Sequence, residues 1–312
     1  MMMSYQEMDT VFNHFGMGGP SETIEQLWRK GYVLVHYEDQ ASFDKSKYDD
    51  KPSDLETLNT VITDNDAYLC LTRIANKHSG TDVRRLGVIP EDAERLVVGI
   101  RDSDHEAEVI HDLAEAERRE DEFKHVYKGT KLRDSDHKTL NGADYFLSAY
   151  EPPFTSFSKW PVVERQLQAT MAGESLPPKE EHSYATAQLE LLCEEYLRLV
   201  DPTYCPLMET GGPTGTHQVD LLGEADGRIV YGEVKNTKSS PDDAVENLGV
   251  IVREHTPEMD PEVDAYLFTR KPPEKSDDAV TVVRLRSVLD TLWEHDRTQR
   301  VMGRMTAQDL SG

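Results

Sequence analysis

The sequence predicts an α/β fold in its C-terminal part, a mixed sheet flanked by helices, preceded by a separate α+β domain. Segments with helical and strand-like apolar spacing alternate after residue 183, whereas short strand-like segments dominate the first half. Small residues, prolines and charges cluster at 172–181, and 312 residues suffice for two cores. We therefore predict domains at 1–160 and 183–312, joined by a helix and linker over 161–182.

The N-terminal domain contains apolar segments rich in β-branched and aromatic residues. We predict strands at 31–37, 67–74, 86–89 and 96–100, and a solvated helix at 109–123. Strands this short and this closely spaced suggest a small barrel or an open sheet. The histidines of this half lie far apart in sequence, without the spacing of metal ligands, so no catalytic site is predicted here.

An aromatic-rich segment, YFLSAYEPPFTSFSKW, closes the N-terminal domain at residues 145–160. One interpretation is a pocket that stacks a flat base, and ordinary aromatic core is the other, more common outcome. The segment loosely resembles PUA-like and EVE-like domains, which hold modified bases. This makes Phe154 and Trp160 the candidate base-pocket residues, with Trp28, Tyr32 and Tyr37 as further aromatic candidates.

The chain is strongly acidic, with 34 basic and 59 acidic residues and a formal net charge of −25. Because the acidic residues are spread along the whole chain, they do not form one disordered tail. The surface either mimics nucleic acid or is a halophilic adaptation to a salty cytoplasm, and we favour adaptation. At roughly 1 M salt the Debye length is about 3 Å, so such a surface barely repels a polyanion. Local basic groups, rather than overall charge, then indicate nucleic-acid binding.

The three cysteines, Cys70, Cys193 and Cys205, are too few and too scattered for a disulfide framework or a zinc cluster. We interpret them as small buried residues in a reducing compartment. The sequence has no run of 18 apolar residues, and its N-terminus lacks the layout of a signal peptide. We expect a soluble cytoplasmic protein with no membrane partner.

The C-terminal part has a clear order of elements. Two strands joined by an Asp-Gly turn form a predicted hairpin, and an amphipathic helix precedes it. A second helix with proline in its first turn follows the hairpin. The full predicted order is helix 184–200, short strand 206–208, strands 218–222 and 228–235, helix 241–255, strands 265–269 and 280–285, and helix 287–295.

Three residues of the hairpin carry chemistry. Asp220 opens the hairpin, and Glu233 and Lys235 close it. Because Glu233 and Lys235 are two apart on one strand, they point to the same face, while Val234 points away. Carboxylates a few Å apart favour a hard cation such as Mg²⁺, which accepts one or two carboxylates, waters and a substrate phosphate. Lys235 beside them can orient or deprotonate a water molecule and can hold a phosphate.

This motif and the order of elements resemble the PD-(D/E)xK nuclease superfamily, which includes restriction endonucleases and archaeal Holliday junction resolvases. The resemblance covers residues 184–286. It implies a restriction-endonuclease-like fold, catalytic Asp220, Glu233 and Lys235, and Mg²⁺ or Mn²⁺ held by Asp220, Glu233 and the backbone carbonyl of Val234. The family often has a proline before its first Asp, where this chain has Val219.

Family members often add a glutamate from the first helix to the metal site. The candidates in this chain are Glu190 and Glu194, and Gln188 stands where some relatives carry the acid, so the assignment stays open. Candidate contacts with the phosphate backbone are Lys238, Arg253, Arg270 and Lys271, although simple solvation is the more common role for each of them.

The motif and the resemblance that it carries together imply a Mg²⁺-dependent DNA endonuclease of the restriction type, with the N-terminal domain as its recognition module. Discrimination needs such a module because phosphate contacts supply affinity without sequence information. The alternatives are a DNA repair or junction nuclease, a non-catalytic nuclease fold that serves as a binding module, and an acidic DNA mimic. The sequence leaves open DNA versus RNA, the sequence or modification read, and whether the protein is a homodimer.

Overall fold

The computed structural model describes residues 4–15, 20–37, 40–48, 53–75, 82–102, 105–134, 137–140, 156–207, 219–255 and 262–306. The chain divides into two compact units, Met1–Glu174 and Ser175–Gly312. Their boundary falls inside the segment 161–182, which the sequence predicts as helix and linker. The helix of that segment, Glu164–Ala172, belongs to the first unit and ends at Gly173, whose φ of 72° is left-handed.

The first unit is built from two sheets and several short helices. Its elements are β1 (Thr10–His14), α1 (Ser21–Arg29), β2 (Tyr32–His36), α2 (Ser53–Thr63), β3 (Tyr68–Ala75), β4 (Asp82–Ile89), β5 (Leu96–Ile100), β6 (Ala107–Ile110), α3 (Leu113–Arg118), β7 (His125–Lys131), β8 (His137–Leu140), β9 (Phe157–Lys159) and α4 (Glu164–Ala172). One sheet has the order β8-β4-β3-β1-β9, in which β1 and β3 are parallel. The other, β2-β7-β5-β6, is antiparallel.

The two sheets share one apolar core. Val11 of β1, Val33 of β2 and Val97 of β5 face this core, and Leu55 and Leu58 of α2 fill it. A second apolar cluster lies on the other face of the β2-β7-β5-β6 sheet, under α1. Successive residues of a strand point to opposite faces, so each of these strands contributes to both clusters.

The predicted helix at 109–123 is wrong at its start. Val109 lies in strand β6 and pairs with Val98 of β5. The helix begins only at Leu113, because the Asp112 side chain accepts hydrogen bonds from the backbone N–H groups of Ala114 and Glu115 at 3.0 and 3.2 Å. This N-cap fixes the start of the helix after the end of strand β6.

Gly129 in the central strand β7 is expected to tolerate no side chain. A Cβ built at this position would lie 1.9 Å from the backbone oxygen of Val33, in the paired strand β2. Because a backbone atom cannot rotate away, Gly129→Ala should separate β2 from β7 and destabilise the first unit by about 1–3 kcal/mol or more. Thermal unfolding followed by circular dichroism measures this loss, and an unchanged melting temperature would contradict the prediction.

The second unit contains a five-stranded sheet, β10-β11-β12-β13-β14. The β10, β11 and β12 neighbours are antiparallel, whereas β12, β13 and β14 are parallel. The elements are α5 (Thr186–Val200), β10 (Cys205–Pro206), β11 (Leu221–Ala225), β12 (Arg228–Lys235), α6 (Asp242–His255), β13 (Val263–Thr269), β14 (Val280–Arg284), α7 (Leu285–Trp293) and α8 (Asp296–Met305).

Helices cover both faces of this sheet. Val234 and Phe268 lie in one apolar cluster with residues of α5, α7 and α8. Leu267 and Ala265 lie in a second cluster with residues of α6. The predicted mixed sheet flanked by helices is therefore confirmed.

The three cysteines differ in their exposure. Cys70 and Cys193 are buried, as predicted, whereas Cys205 is exposed on the short strand β10.

None of the helices within the described ranges is both long enough and apolar enough to cross a membrane.

Candidate active site

A tight hairpin brings the two halves of the motif together. Strand β11 runs to Ala225, three residues beyond its predicted end, so the turn consists of Asp226 and Gly227 alone. Both residues have positive φ angles, 49° and 79°, as the favoured two-residue hairpin turn requires. Gln218, the predicted first residue of the strand, lies outside the described residues.

The register of the hairpin places Asp220 beside the Glu-x-Lys strand. The backbone N–H of Asp220 donates to the carbonyl of Gly232 at 3.0 Å. Its carboxylate oxygen Oδ2 accepts a hydrogen bond from the backbone N–H of Val234 at 2.8 Å. The Asp220 carboxylate is thereby fixed at the backbone of Val234, the residue between Glu233 and Lys235.

Glu233 and Lys235 share one face of β12. Their side chains form an ion pair through Glu233 Oε1. Glu233 pairs with Leu267 of β13, which faces α6, whereas Val234 is buried on the α5 side. Glu233 is 8% exposed, and its second oxygen, Oε2, is buried without a hydrogen-bond partner. A buried carboxylate oxygen that lacks a partner is the kind of group that an ion or a water molecule satisfies.

Glu190 is the acid of α5 whose charge interacts with the Asp220 and Lys235 side chains of this hairpin. Burial, with a smaller contribution from the nearby Asp220 carboxylate, raises the pKa of Glu190 to about 7, whereas the Lys235 ammonium acts in the opposite direction. The other two candidates have different partners. Glu194 pairs with Arg198 at 2.5 Å, and Gln188 Oε1 accepts from the Ala185 N–H at 3.1 Å, at the start of the helix.

Cys193 is a neighbour that the sequence indicated only as an apolar position of α5. Its thiol is fully buried, and burial raises its pKa well above the usual range, with further contributions from Glu190 and Asp220. Glu190, Cys193 and Asp220 therefore lie close together, although they are up to 30 positions apart in the sequence. Helical spacing alone could have linked Glu190 to Cys193, which is one turn away.

The donor set fits a hard cation. In the part of the chain that the structure describes, no three His, Cys, Asp or Glu side chains are arranged to hold a metal ion by themselves. Mg²⁺ does not require three, because it keeps several waters and binds through one or two carboxylates. Asp220 and Glu233 supply two carboxylates, and the unpartnered Oε2 of Glu233 is one oxygen available for the ion.

The four predicted phosphate contacts are not alike. Arg253 pairs with Asp277 at 2.6 Å, and Lys271 lies 4.0 Å from Glu274, so acids already neutralise these two. Lys238 is exposed directly after β12, and the backbone N–H of Arg270 donates to the Lys235 carbonyl at 3.1 Å. Lys238 therefore lies close to the motif along the chain, and Arg270 lies next to it across the sheet.

The predicted aromatic residues of the first unit do not form one pocket among the described residues. Trp160 is 4% exposed and packs edge-on against Phe12, with ring centroids 5.3 Å apart. Trp28 donates its indole N–H to Thr72 Oγ1 at 2.9 Å, and the Arg85 guanidinium covers its ring. Phe154 lies outside the described residues. Trp28 and Trp160 are thus parts of the apolar interior.

No family model and no curated protein matches the chain. Among solved structures, the MspJI restriction endonuclease in complex with a 27-mer oligonucleotide is similar at 12% identity, covering 89% of this chain and 74% of that chain with a TM-score of 0.28. The complex of EndoMS with double-stranded DNA is similar at 15% identity, covering 84% of this chain and 92% of that one with a TM-score of 0.25. Similarity this low identifies no family.

Proposed function

We propose that the second unit is a Mg²⁺- or Mn²⁺-dependent endonuclease that hydrolyses phosphodiester bonds of DNA, and that the whole protein is of the restriction type. One observation carries the proposal. Glu233 has one carboxylate oxygen paired with the Lys235 ammonium and a second that is buried without a hydrogen-bond partner, and the Asp220 carboxylate accepts a hydrogen bond from the N–H of the next residue, Val234. Such a combination stabilises a bound cation and a phosphate at one place.

Asp220, Glu233 and the backbone carbonyl of Val234 would hold the metal ion. When bound, the ion lowers the pKa of a water molecule and stabilises negative charge on the phosphate. The Lys235 ammonium pairs with Glu233 in the protein alone, and it would be available to a non-bridging phosphate oxygen once a bound cation neutralised the Glu233 carboxylate. Glu190 has a pKa of about 7, so it can accept a proton from the attacking water at neutral pH.

The hydrolysis that these residues support is an in-line displacement. A water oxygen attacks the phosphorus, the water proton moves to the Glu190 carboxylate, and the bond to the leaving deoxyribose oxygen breaks as that oxygen takes a proton from solvent. The Lys235 ammonium stabilises the negative charge of the phosphate, and the Glu190 carboxylate, whose pKa is about 7, accepts the proton. This division of roles is what general acid–base catalysis at a phosphate needs.

Cleavage of plasmid DNA tests the proposal directly. The protein should nick or cut DNA with Mg²⁺ or Mn²⁺, in dilute buffer or in molar KCl, and EDTA should abolish the reaction. Glu233→Ala removes a ligand, so calorimetry should show weaker Mg²⁺ binding and the cleavage rate should fall by at least about 100-fold. Glu246→Ala is the matched control, because Glu246 is an exposed acid of the same unit.

Two outcomes would contradict the nuclease proposal. The first is the absence of cleavage on every DNA tried, together with a divalent-ion affinity that Glu233→Ala does not change. The second is an equal loss in Glu246→Ala, which would trace the effect to net charge rather than to the site. Cleavage of branched DNA in preference to linear duplex would instead identify a junction nuclease.

A further inference from the structure

A polar cluster in the first unit has no role in the proposed hydrolysis. Five side chains from separate parts of the chain meet at the edge of the core that the two sheets share. Lys128 of β7 is fully buried, whereas its neighbours are half-buried. The members are Tyr37, Tyr48, Asp54, Lys128 and Ser156.

The two tyrosine rings lie over the Lys128 ammonium. The Nζ atom is 4.1 Å from the ring centroid of Tyr37 and 4.5 Å from that of Tyr48, and the two centroids are 5.2 Å apart. Lys128 also donates a hydrogen bond to the Tyr48 hydroxyl, which donates to the Ser42 carbonyl at 2.6 Å. Both rings are therefore held in place by partners beneath and beside them.

Asp54 is the acceptor of the cluster. Its Oδ1 accepts hydrogen bonds from the Tyr37 hydroxyl at 2.6 Å and from the Leu55 N–H at 2.9 Å, and its Oδ2 accepts one from the Ser156 hydroxyl. Burial and the neighbouring Asp54 raise the pKa of Tyr37, so the tyrosine stays protonated and remains a donor. A carboxylate has about four lone-pair positions, so Asp54 can accept a further hydrogen bond.

The charges of the cluster restrict the ligand that would fit it. A cation is disfavoured because the Lys128 ammonium already occupies the position that cations take over aromatic rings. An anion is disfavoured because the half-buried Asp54 carboxylate repels it. A flat, neutral molecule that stacks on a tyrosine and donates an N–H to Asp54 satisfies both conditions. A nucleobase with an exocyclic amino group has this chemistry.

We propose that Tyr37, Tyr48 and Asp54 form a binding site for one nucleobase turned out of the DNA duplex, with the amino group of cytosine, adenine or guanine donating to Asp54. This inference rests on the proposed function, since it takes DNA as the substrate. It supplies the discrimination that phosphate contacts lack. Lys128 and Ser156 are positioning residues, because they hold Tyr48 and Asp54.

Binding to duplexes with one unpaired base tests the site. The full chain is titrated in EDTA, so that no cleavage occurs, with short duplexes carrying one bulged cytosine, adenine, guanine or thymine, or none. At least one amino-bearing base should bind about tenfold tighter than thymine, since a good base contact discriminates by about 1–3 kcal/mol. Fluorescence anisotropy gives the dissociation constants.

Variants separate a binding site from a structural network. Asp54→Asn should abolish the preference over thymine, and Asp66→Asn, at an exposed aspartate beyond the other end of α2, should leave it unchanged. Tyr48→Phe keeps the ring and should keep most of the affinity, whereas Tyr48→Leu should lose about fivefold or more for every bulged base. If Asp54→Asn proves unfolded by circular dichroism, the pair of Tyr48 variants decides the question.

Equal affinity of the wild type for all four bulges and for the paired duplex would overturn the base site. If Tyr48→Leu loses the same affinity for paired and for bulged duplexes, the base site is also overturned, because that pattern indicates a structural role. The nuclease proposal is judged separately, by cleavage of paired plasmid in Mg²⁺. A base preference without any cleavage refutes the nuclease alone, and cleavage without a base preference refutes the base site alone.

Discussion

Replacing Lys235 by alanine is expected to reduce the rate of DNA cleavage by about 100- to 1,000-fold, the usual cost of removing one group that stabilises negative charge at the reacting centre. The change removes the ammonium but keeps both carboxylates, Asp220 and Glu233, so Mg²⁺ should bind at least as tightly as before. It should bind more tightly if anything, because Lys235 no longer competes for the Glu233 carboxylate. Single-turnover cleavage and calorimetry measure the two quantities.

Lys275→Ala is the matched control, because Lys275 is an exposed lysine of the same unit that pairs with Glu246. Its cleavage rate should stay close to that of the wild type. If Lys235→Ala cleaves DNA at the wild-type rate, the lysine has no part in the proposed chemistry. A parallel loss of Mg²⁺ affinity and cleavage in that variant would indicate that Lys235 supports the shape of the site instead.

Replacing Glu190 by glutamine is expected to change how the stability of the metal-free protein depends on pH. The pKa of Glu190 is raised to about 7 in the folded state, so folding favours its protonated form. Its contribution to stability is therefore present at acid pH and is lost as the pH rises from the unfolded pKa through about 7. The loss for this buried acid is roughly 2–3 kcal/mol between pH 5 and pH 8.

Denaturant unfolding in EDTA measures this dependence. Glu190→Gln should be more stable than the wild type at pH 8 and similar to it at pH 5, because glutamine carries no charge to bury. Glu246→Gln, at an exposed acid, should follow the wild-type curve. If the wild type and Glu190→Gln lose stability in parallel, Glu190 is not the group that titrates.

Much of the second unit follows from local patterns. The helix predicted at 184–200 is Thr186–Val200, and the strand predicted at 228–235 has the same limits in the structure. Apolar spacing reveals these elements because each buries one face, and the spacing is set by the geometry of a single helix or strand. The Asp-Gly turn is equally local, since it needs only two residues that accept positive φ.

The first unit was less predictable, and β7 shows the reason. Its sequence, HVYKGTK, contains a lysine and a glycine at its centre, so the apolar pattern does not predict a strand there. Lys128 is nevertheless fully buried, under the rings of two tyrosines. A buried lysine is rare, because it needs partners that only the folded chain supplies.

The sequence by itself determined the hairpin, the common face of Glu233 and Lys235, and the layered order of the second unit. These features depend on spacing within one element or between two strands joined by a short turn. Only the tertiary structure decided that Glu190, rather than Glu194 or Gln188, lies close to Asp220. It also decided which aromatic residues are core and which surround Asp54. Both outcomes depend on how one element is rotated against another, and that rotation is set by packing between residues far apart in the sequence.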